Sequence, residues 1–201
     1  MDDVISHVNK RGVMYSRFTT PFGYDMEASV WETACIVVGE DACREYMNSL
    51  TRHIFAVRAF AEKYYPQISY LTDIHDHSKI SKYEFEPYAR HFFGITYGAS
   101  PDRKSYEKAW EHHYTMNPHH WQFWKEGTIP EHYVLEMIAD WHGAAYAYGG
   151  KWDISGWMND SNYDGLIQFS VPANKAAITQ QLFALGYRKN NQDMWELNKR
   201  L

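Results

Sequence analysis

The chain has 201 residues, a formal net charge of −5, 45% hydrophobic residues and 22% charged residues. That is long enough to bury a core as one domain and ordinary for a globular protein. The acidic balance argues against binding duplex nucleic acid, which needs a basic stripe. No apolar run approaches the ~20 residues that span a bilayer, and Met1-Asp2-Asp3 begins no apolar signal segment. The expectation is a soluble, cytoplasmic protein with no membrane partner.

In chain order, residues 1–27 read as irregular or strand-like. The run from Val13 to Phe18 suits a short strand and Pro21-Phe22-Gly23 marks a turn. Residues 28–65 are helical in pattern. Ile54, Val57, Phe60, Ala61 and Tyr64 recur at helical spacing, His53 shares their face, and Pro66 ends the run. Cys35 and Cys43, the only cysteines, lie in this run in no metal-ligand spacing and read as reduced, partly buried thiols. Residues 70–76 form a short helical segment that delivers His75 and Asp76. Ser81-Lys82-Tyr83-Glu84 has the form of a capping box for a helix over 82–93, stopped by Gly94.

Residues 96–101 are turn-rich. A helix over 102–115 runs up to the Asn117-Pro118 break, and 119–125 suits a short helix. Gly127-Thr128-Ile129-Pro130 links to a helix over 131–148, with Pro130 suited to its first turn. Leu135, Ile138 and Ala139 lie on the inner side of that helix, and Glu136 and Asp140 share a face. Gly149-Gly150 ends it. Residues 151–171 are irregular, and 172–185 form a last helix stopped by Gly186. The sum is a mainly helical, all-α chain. It reads as one domain over 1–201, with a small irregular N-terminal segment, a core about 28–150 and a C-terminal appendage over 151–201.

Histidine is the compositional outlier, with eleven in the chain and seven of them between His75 and His120. The adjacent pair His75-Asp76 offers an imidazole nitrogen and a carboxylate oxygen, donors that suit manganese, iron, cobalt, nickel or zinc. His53 lies on an otherwise apolar helix face. Two further pairs follow, His112-His113 and His119-His120. Asp140 is a carboxylate on a mainly apolar face, expensive to bury unless paired or bound to a cation.

The order of His53, His75-Asp76, the histidine pairs and Asp140 on successive helices resembles the HD-domain superfamily of metal-dependent phosphohydrolases. The resemblance implies an HD-like helical bundle in which His53, His75, Asp76 and Asp140 hold the principal divalent ion. Members with extra histidines in the interval that here contains His112, His113, His119 and His120 can hold a second, for which His113, His119 and His120 are the candidate ligands. A closer resemblance is to an uncharacterised family of phage and bacterial proteins. It is carried by His75-Asp76-x-Ser78-Lys79, Glu84-Phe85-x-Pro87-Tyr88, Tyr97-Gly98, His112-His113-Tyr114-x-x-Asn117-x-His119-His120 and Leu135-Glu136-Met137-Ile138-x-Asp140-Trp141. It covers about 50–148 and leaves 1–45 and 151–201 outside. If the chain is phage-encoded, the cytoplasm is the host's. Lys79 stands where some nucleotidase members carry a glutamate, and a lysine there binds phosphate as a point charge instead.

The expected function is metal-assisted hydrolysis of a small phosphoester, a nucleotide for preference, with one or two divalent transition ions. Asp76, Lys79, His112 and His113 are the expected catalytic residues. Lys79, Arg90, Tyr114, Asn117, His119 and Trp121 are expected to bind substrate, with Trp110, Tyr114, Trp121 and Trp124 available to stack on a base. Two rivals use the same residues: a di-iron oxygenase on the same scaffold, and a non-catalytic binding protein that retains a metal site. The sequence leaves the oligomeric state open, with a homodimer allowed. It contains no Gly-rich phosphate loop, no HExxH and no GxSxG.

Overall fold

The computed structural model describes residues 4–8, 14–125, 127–162 and 171–198, and over these the chain is mainly α-helical with two small antiparallel sheets. It falls into two compact units, each drawn from separated stretches of sequence: residues 1–52 with 76–117, and residues 53–75 with 118–201.

In the first unit, β1 (Val4–Val8), β2 (Met14–Thr19) and β3 (Asp25–Glu27) form a three-stranded sheet in that order. Val4 pairs with Phe18, and Arg17 with Glu27. The expected strand is β2, although Val13 lies outside the described residues. The expected turn closes between Thr20 and Tyr24, with Gly23 at φ 93°, a value that glycine adopts without steric cost. The helical run expected over 28–65 is two helices, α1 (Ala28–Val38) and α2 (Glu40–Tyr64). The break is Gly39, whose φ of 88° takes the chain out of the right-handed helix. Cys43 is buried, Cys35 half-buried, and both are free thiols.

Among the described residues this unit also holds α4 (Phe85–Phe92), which packs on α1, α5 (Arg103–Met116), which packs on α4, and two 3-10 turns, His77–Ile80 and Gly94–Tyr97. Phe85 is fully buried between Trp31 and Tyr46. The helix begins three residues later than the capping-box reading placed it. Ser81 Oγ makes no hydrogen bond, and Glu84 does not cap the helix. The turn is closed by backbone bonds from Glu84 and Phe85 to the Ser81 carbonyl, which leaves the Glu84 carboxylate for other partners. At α5 the capping logic holds, because Asp102 accepts from the Ser105 backbone N–H at 3.0 Å.

The second unit contains the last three turns of α2. After Pro66 come a single 3-10 turn (Pro66–Ile68), α3 (Ser69–Thr72), α6 (Trp121–Trp124) and the long α7 (Glu131–Gly149). Then follow α8 (Ser155–Trp157), which runs on into a π turn (Met158–Asn162), and α9 (Pro172–Leu185). The last elements are a hairpin of β4 (Tyr187–Lys189) and β5 (Trp195–Leu197), which the sequence reading did not anticipate. Gly150 and Gly186, at φ 70° and 103°, end α7 and α9 where expected.

Val57, Phe60 and Ala61 of α2 meet Leu135, Ile138 and Ala139 of α7 and Ile178 and Leu182 of α9 in one apolar core. Buried Asn174 secures the approach to α7, accepting from Ile129 N and donating to the Gly127 carbonyl. Among the described residues, no helix is long and apolar enough to cross a membrane.

Candidate metal centre

The second unit brings together five side chains from separated stretches of sequence. Helices α2 and α7 touch at Val57 and Gly143. A Cβ on Gly143 would lie 2.5 Å from Val57 Cγ2 and 2.8 Å from the Val57 backbone nitrogen, so the helices come this close only because position 143 has no side chain. One turn back on each helix stand His53 and Asp140, and His53 Nε2 lies 3.0 Å from Asp140 Oδ1. His75 follows α3. There Arg58 of α2 donates to the carbonyls of Thr72 and Asp73 and fixes the chain just before the histidine. His75 Nε2 lies 3.4 Å from the same Asp140 oxygen.

The other nitrogen of His75, Nδ1, is 3.0 Å from Glu136 Oε1, and His119 Nδ1 is 3.2 Å from that oxygen. The turn that carries His119 is held by Trp124 Nε1 donating to the Pro118 carbonyl. His120 stands beside His119, with ring centroids 4.4 Å apart.

His53, His75, His119 and Glu136 are all buried. Burial by itself raises the pKa of Glu136, but hydrogen bonds from His119 and His75 outweigh it and pull the group down to about 2. Burial likewise opposes ionisation of Asp140, and the bonds from His53 and His75 overcome it, holding that carboxyl well below its ordinary range. Both acids are therefore carboxylates at neutral pH.

Two observations fit this set to a divalent cation. His53, His75 and Asp140 each present one ligand atom, all within 4.8 Å of one another, and so do His75, His119 and Glu136. The 3.0 and 3.4 Å separations at Asp140 exceed the usual charge-assisted hydrogen bond. They are close to the ~3.3 Å between donors that share one tetrahedral ion with bonds of about 2.0–2.1 Å. With the imidazoles acting as neutral donors, the two carboxylates would carry two negative charges, which one divalent ion balances.

The first unit gathers a different group. Asp76, at φ 61°, sits in the left-handed conformation that aspartate tolerates better than most residues. Its Oδ2 accepts from Lys79 Nζ at 2.6 Å, and its Oδ1 is 3.3 Å from His113 Nε2. His113 Nδ1 lies 2.8 Å from Glu84 Oε2, and His112 Nδ1 is 2.6 Å from Glu84 Oε1. Asn117 ends α5 and donates to the His113 carbonyl and to Ser78 Oγ. Arg90 donates to Glu86 one turn away, and Tyr114 stands edge-on to Trp110. In the second unit, Trp121 and Trp124 pack against the apolar core.

Reasoning from the sequence singled out His53, His75, His119 and Asp140 but missed Glu136 as the partner of His75 and His119, and in the first unit it missed Glu84 as the partner of His112 and His113. Glu136 was legible as the acid sharing a face with Asp140. Glu84 was not, because three-residue spacing from a serine reads first as a helix cap.

The family model described as "Family of unknown function (DUF5662)" matches residues 43–193, more than half of the chain. The match extends past residue 148, so α9 and the start of the C-terminal hairpin lie inside the family's pattern. No curated protein and no solved structure matches the chain.

Proposed function

The chain belongs to DUF5662, a family of unknown function, and we propose that it is a metal-dependent phosphohydrolase acting on a small phosphoester, a nucleotide for preference. The observation that carries the reading is the meeting of His53, His75 and Asp140 around a common point, with Asp140 Oδ1 within 3.4 Å of an Nε2 from each histidine. Two imidazoles and one carboxylate form the type of set that holds a catalytic ion and leaves further positions open. When bound, a divalent transition ion (manganese, iron, cobalt, nickel or zinc) supplies Lewis acidity, acidifying water and polarising a phosphoryl oxygen.

The residues around the set have separable tasks. Asp140, ionised through neutral pH, supplies the fixed negative charge. His53 is held by α2 and covered by Tyr148, whose ring lies parallel to it with centroids 5.9 Å apart. Tyr148 is itself exposed, and an exposed aromatic face beside the ligand set is a surface on which a nucleobase stacks. The resemblance of the His53, His75-Asp76, Asp140 order to HD-domain phosphohydrolases supports hydrolysis over other metal chemistry.

Elemental analysis of protein purified without chelator, followed by a nucleotide phosphatase screen with added manganese, cobalt or nickel, tests this. The expected result is stoichiometric metal and a hydrolysis that disappears in Asp140→Ala. Failure to retain or take up any transition ion would overturn the reading, as would stoichiometric iron with no hydrolysis of any phosphoester.

A further inference from the structure

Glu136 lies on the inner face of α7, only 4% exposed. A single oxygen, Oε1, serves Nδ1 of both His75 and His119, whose ring centroids are 4.3 Å apart. An ionised carboxylate only accepts hydrogen bonds. Each of these contacts therefore has the proton on Nδ1. A neutral imidazole carries one N–H, so a proton fixed on Nδ1 leaves the lone pair on Nε2. In His75 that nitrogen is the one facing Asp140 Oδ1, at 3.4 Å. A lone pair and a carboxylate oxygen so placed repel each other unless a positive charge lies between them.

We infer that Glu136 is a positioning residue which locks His75 and His119 in the Nδ1–H tautomer and so presents the Nε2 of each as a donor to a divalent transition ion. Its use rests on the metal reading above, whereas the tautomers rest on the contacts with Glu136, a hydrogen bond at 3.0 Å from His75 Nδ1 and a 3.2 Å approach of His119 Nδ1. The arrangement explains why an acid is buried one turn before Asp140 on the same helix. Asp140 serves as a ligand, and Glu136 decides which nitrogens of its neighbours do. It also adds His119 to the donor set, as a nitrogen ligand beyond His53 and His75. Outer carboxylates of this kind fix ring orientation and raise ligand basicity, and their loss weakens metal affinity by about 10–100-fold.

The test reads tautomers directly, in metal-free full-length protein labelled with nitrogen-15 at histidine. Long-range proton–nitrogen spectra are recorded at a pH high enough that the imidazoles are neutral. His75 and His119 are expected as Nδ1–H in the wild type. Glu136→Leu moves at least one to Nε2–H, the form that free histidine prefers. Glu136→Gln, whose amide oxygen still accepts, restores Nδ1–H at His75. An Nε2–H signal for His75 in the wild type would overturn the inference, and that spectrum needs no variant to fold. Unchanged tautomers in Glu136→Leu would overturn it as well.

Zinc titration of the folded Glu136→Leu protein gives a second readout, with binding weakened about 10–100-fold relative to wild type and largely recovered in Glu136→Gln. Unweakened zinc binding counts against the positioning role. If the wild-type protein shows both Nδ1–H tautomers but binds no ion, the proposed function falls while the tautomer assignment stands.

Discussion

In the unit formed by residues 1–52 and 76–117, buried Asp76 faces the ammonium of Lys79 at 2.6 Å. In the unit formed by residues 53–75 and 118–201, buried Glu136 and half-buried Asp140 face imidazoles. Both units hide two carboxylates near histidines, so the difference lies in the source of positive charge. A lysine brings its own charge, so in the first network Asp76 is balanced by the chain alone, while Glu84 is gripped by His112 and His113. An imidazole contributes positive charge only if it takes up a proton. The second set therefore depends on what the solution supplies, protons or a cation, and such dependence is what a binding centre needs. The first network reads as structural for the same reason.

Substitutions at the acids test this contrast most severely. Asp140→Ala should leave the purified protein with essentially no bound transition metal, while its urea midpoint in chelator changes little. Glu84→Ala should do the reverse. Metal content should stay at the wild-type level while stability falls by about 3–5 kcal/mol, the usual cost of breaking a buried ionic partnership. Parallel metal loss in both variants, or a large stability loss confined to Asp140→Ala, would erase the distinction.

Another buried histidine sharpens it, because His142 is held neutral. Its ring stacks on Phe60 at 4.2 Å, with Nδ1 2.7 Å from the Ile138 carbonyl and Nε2 3.1 Å from Tyr187 Oη. Burial drives its pKa from the ordinary 6.5 down to about 4, against smaller opposing effects of the Ile138 carbonyl and Asp153. The unfolded chain therefore binds this proton more readily than the folded one. The stabilising contribution is intact above about pH 6.5 and is lost as pH falls towards 4, by at most roughly 3 kcal/mol. Denaturant midpoints taken across that window should fall less steeply in His142→Gln than in wild type. Equal slopes would show that His142 does not titrate as its burial requires.

Gly143→Ala probes the close approach of α2 and α7. The added carbon meets Val57 backbone as well as side chain, so the helices must separate, at about 1–3 kcal/mol. Calorimetry should show the lower melting temperature, and a metal titration should show weaker binding because His53 and Asp140 move apart. The smallest effect is expected at Asp102→Ala, which removes the cap of α5. It should lower the melting temperature slightly and leave metal content untouched, and any metal loss there would argue against separate roles for the two networks.

Helices were the most legible part of the chain, because their signals are local. Pro66, Gly150 and Gly186 end helices where the pattern said they would, and the Leu135, Ile138, Ala139 stripe faces the core. Legibility failed where one residue type serves two purposes. Gly39 lies inside an unbroken helical pattern and yet splits it. Glu84 has capping spacing but turns to His112 and His113. The C-terminal hairpin escaped notice because three-residue strands are too short to display an alternating pattern.

By itself the sequence determined the donor chemistry, since an excess of histidine and a few acids on apolar helix faces can be buried only as partners of one another or of a cation. Only the tertiary structure decided which of them meet. Side chains 87 positions apart, such as His53 and Asp140, are brought to 3.0 Å by two helices whose approach is set at Val57 and Gly143. That separation depends on packing between remote segments, which no local pattern encodes.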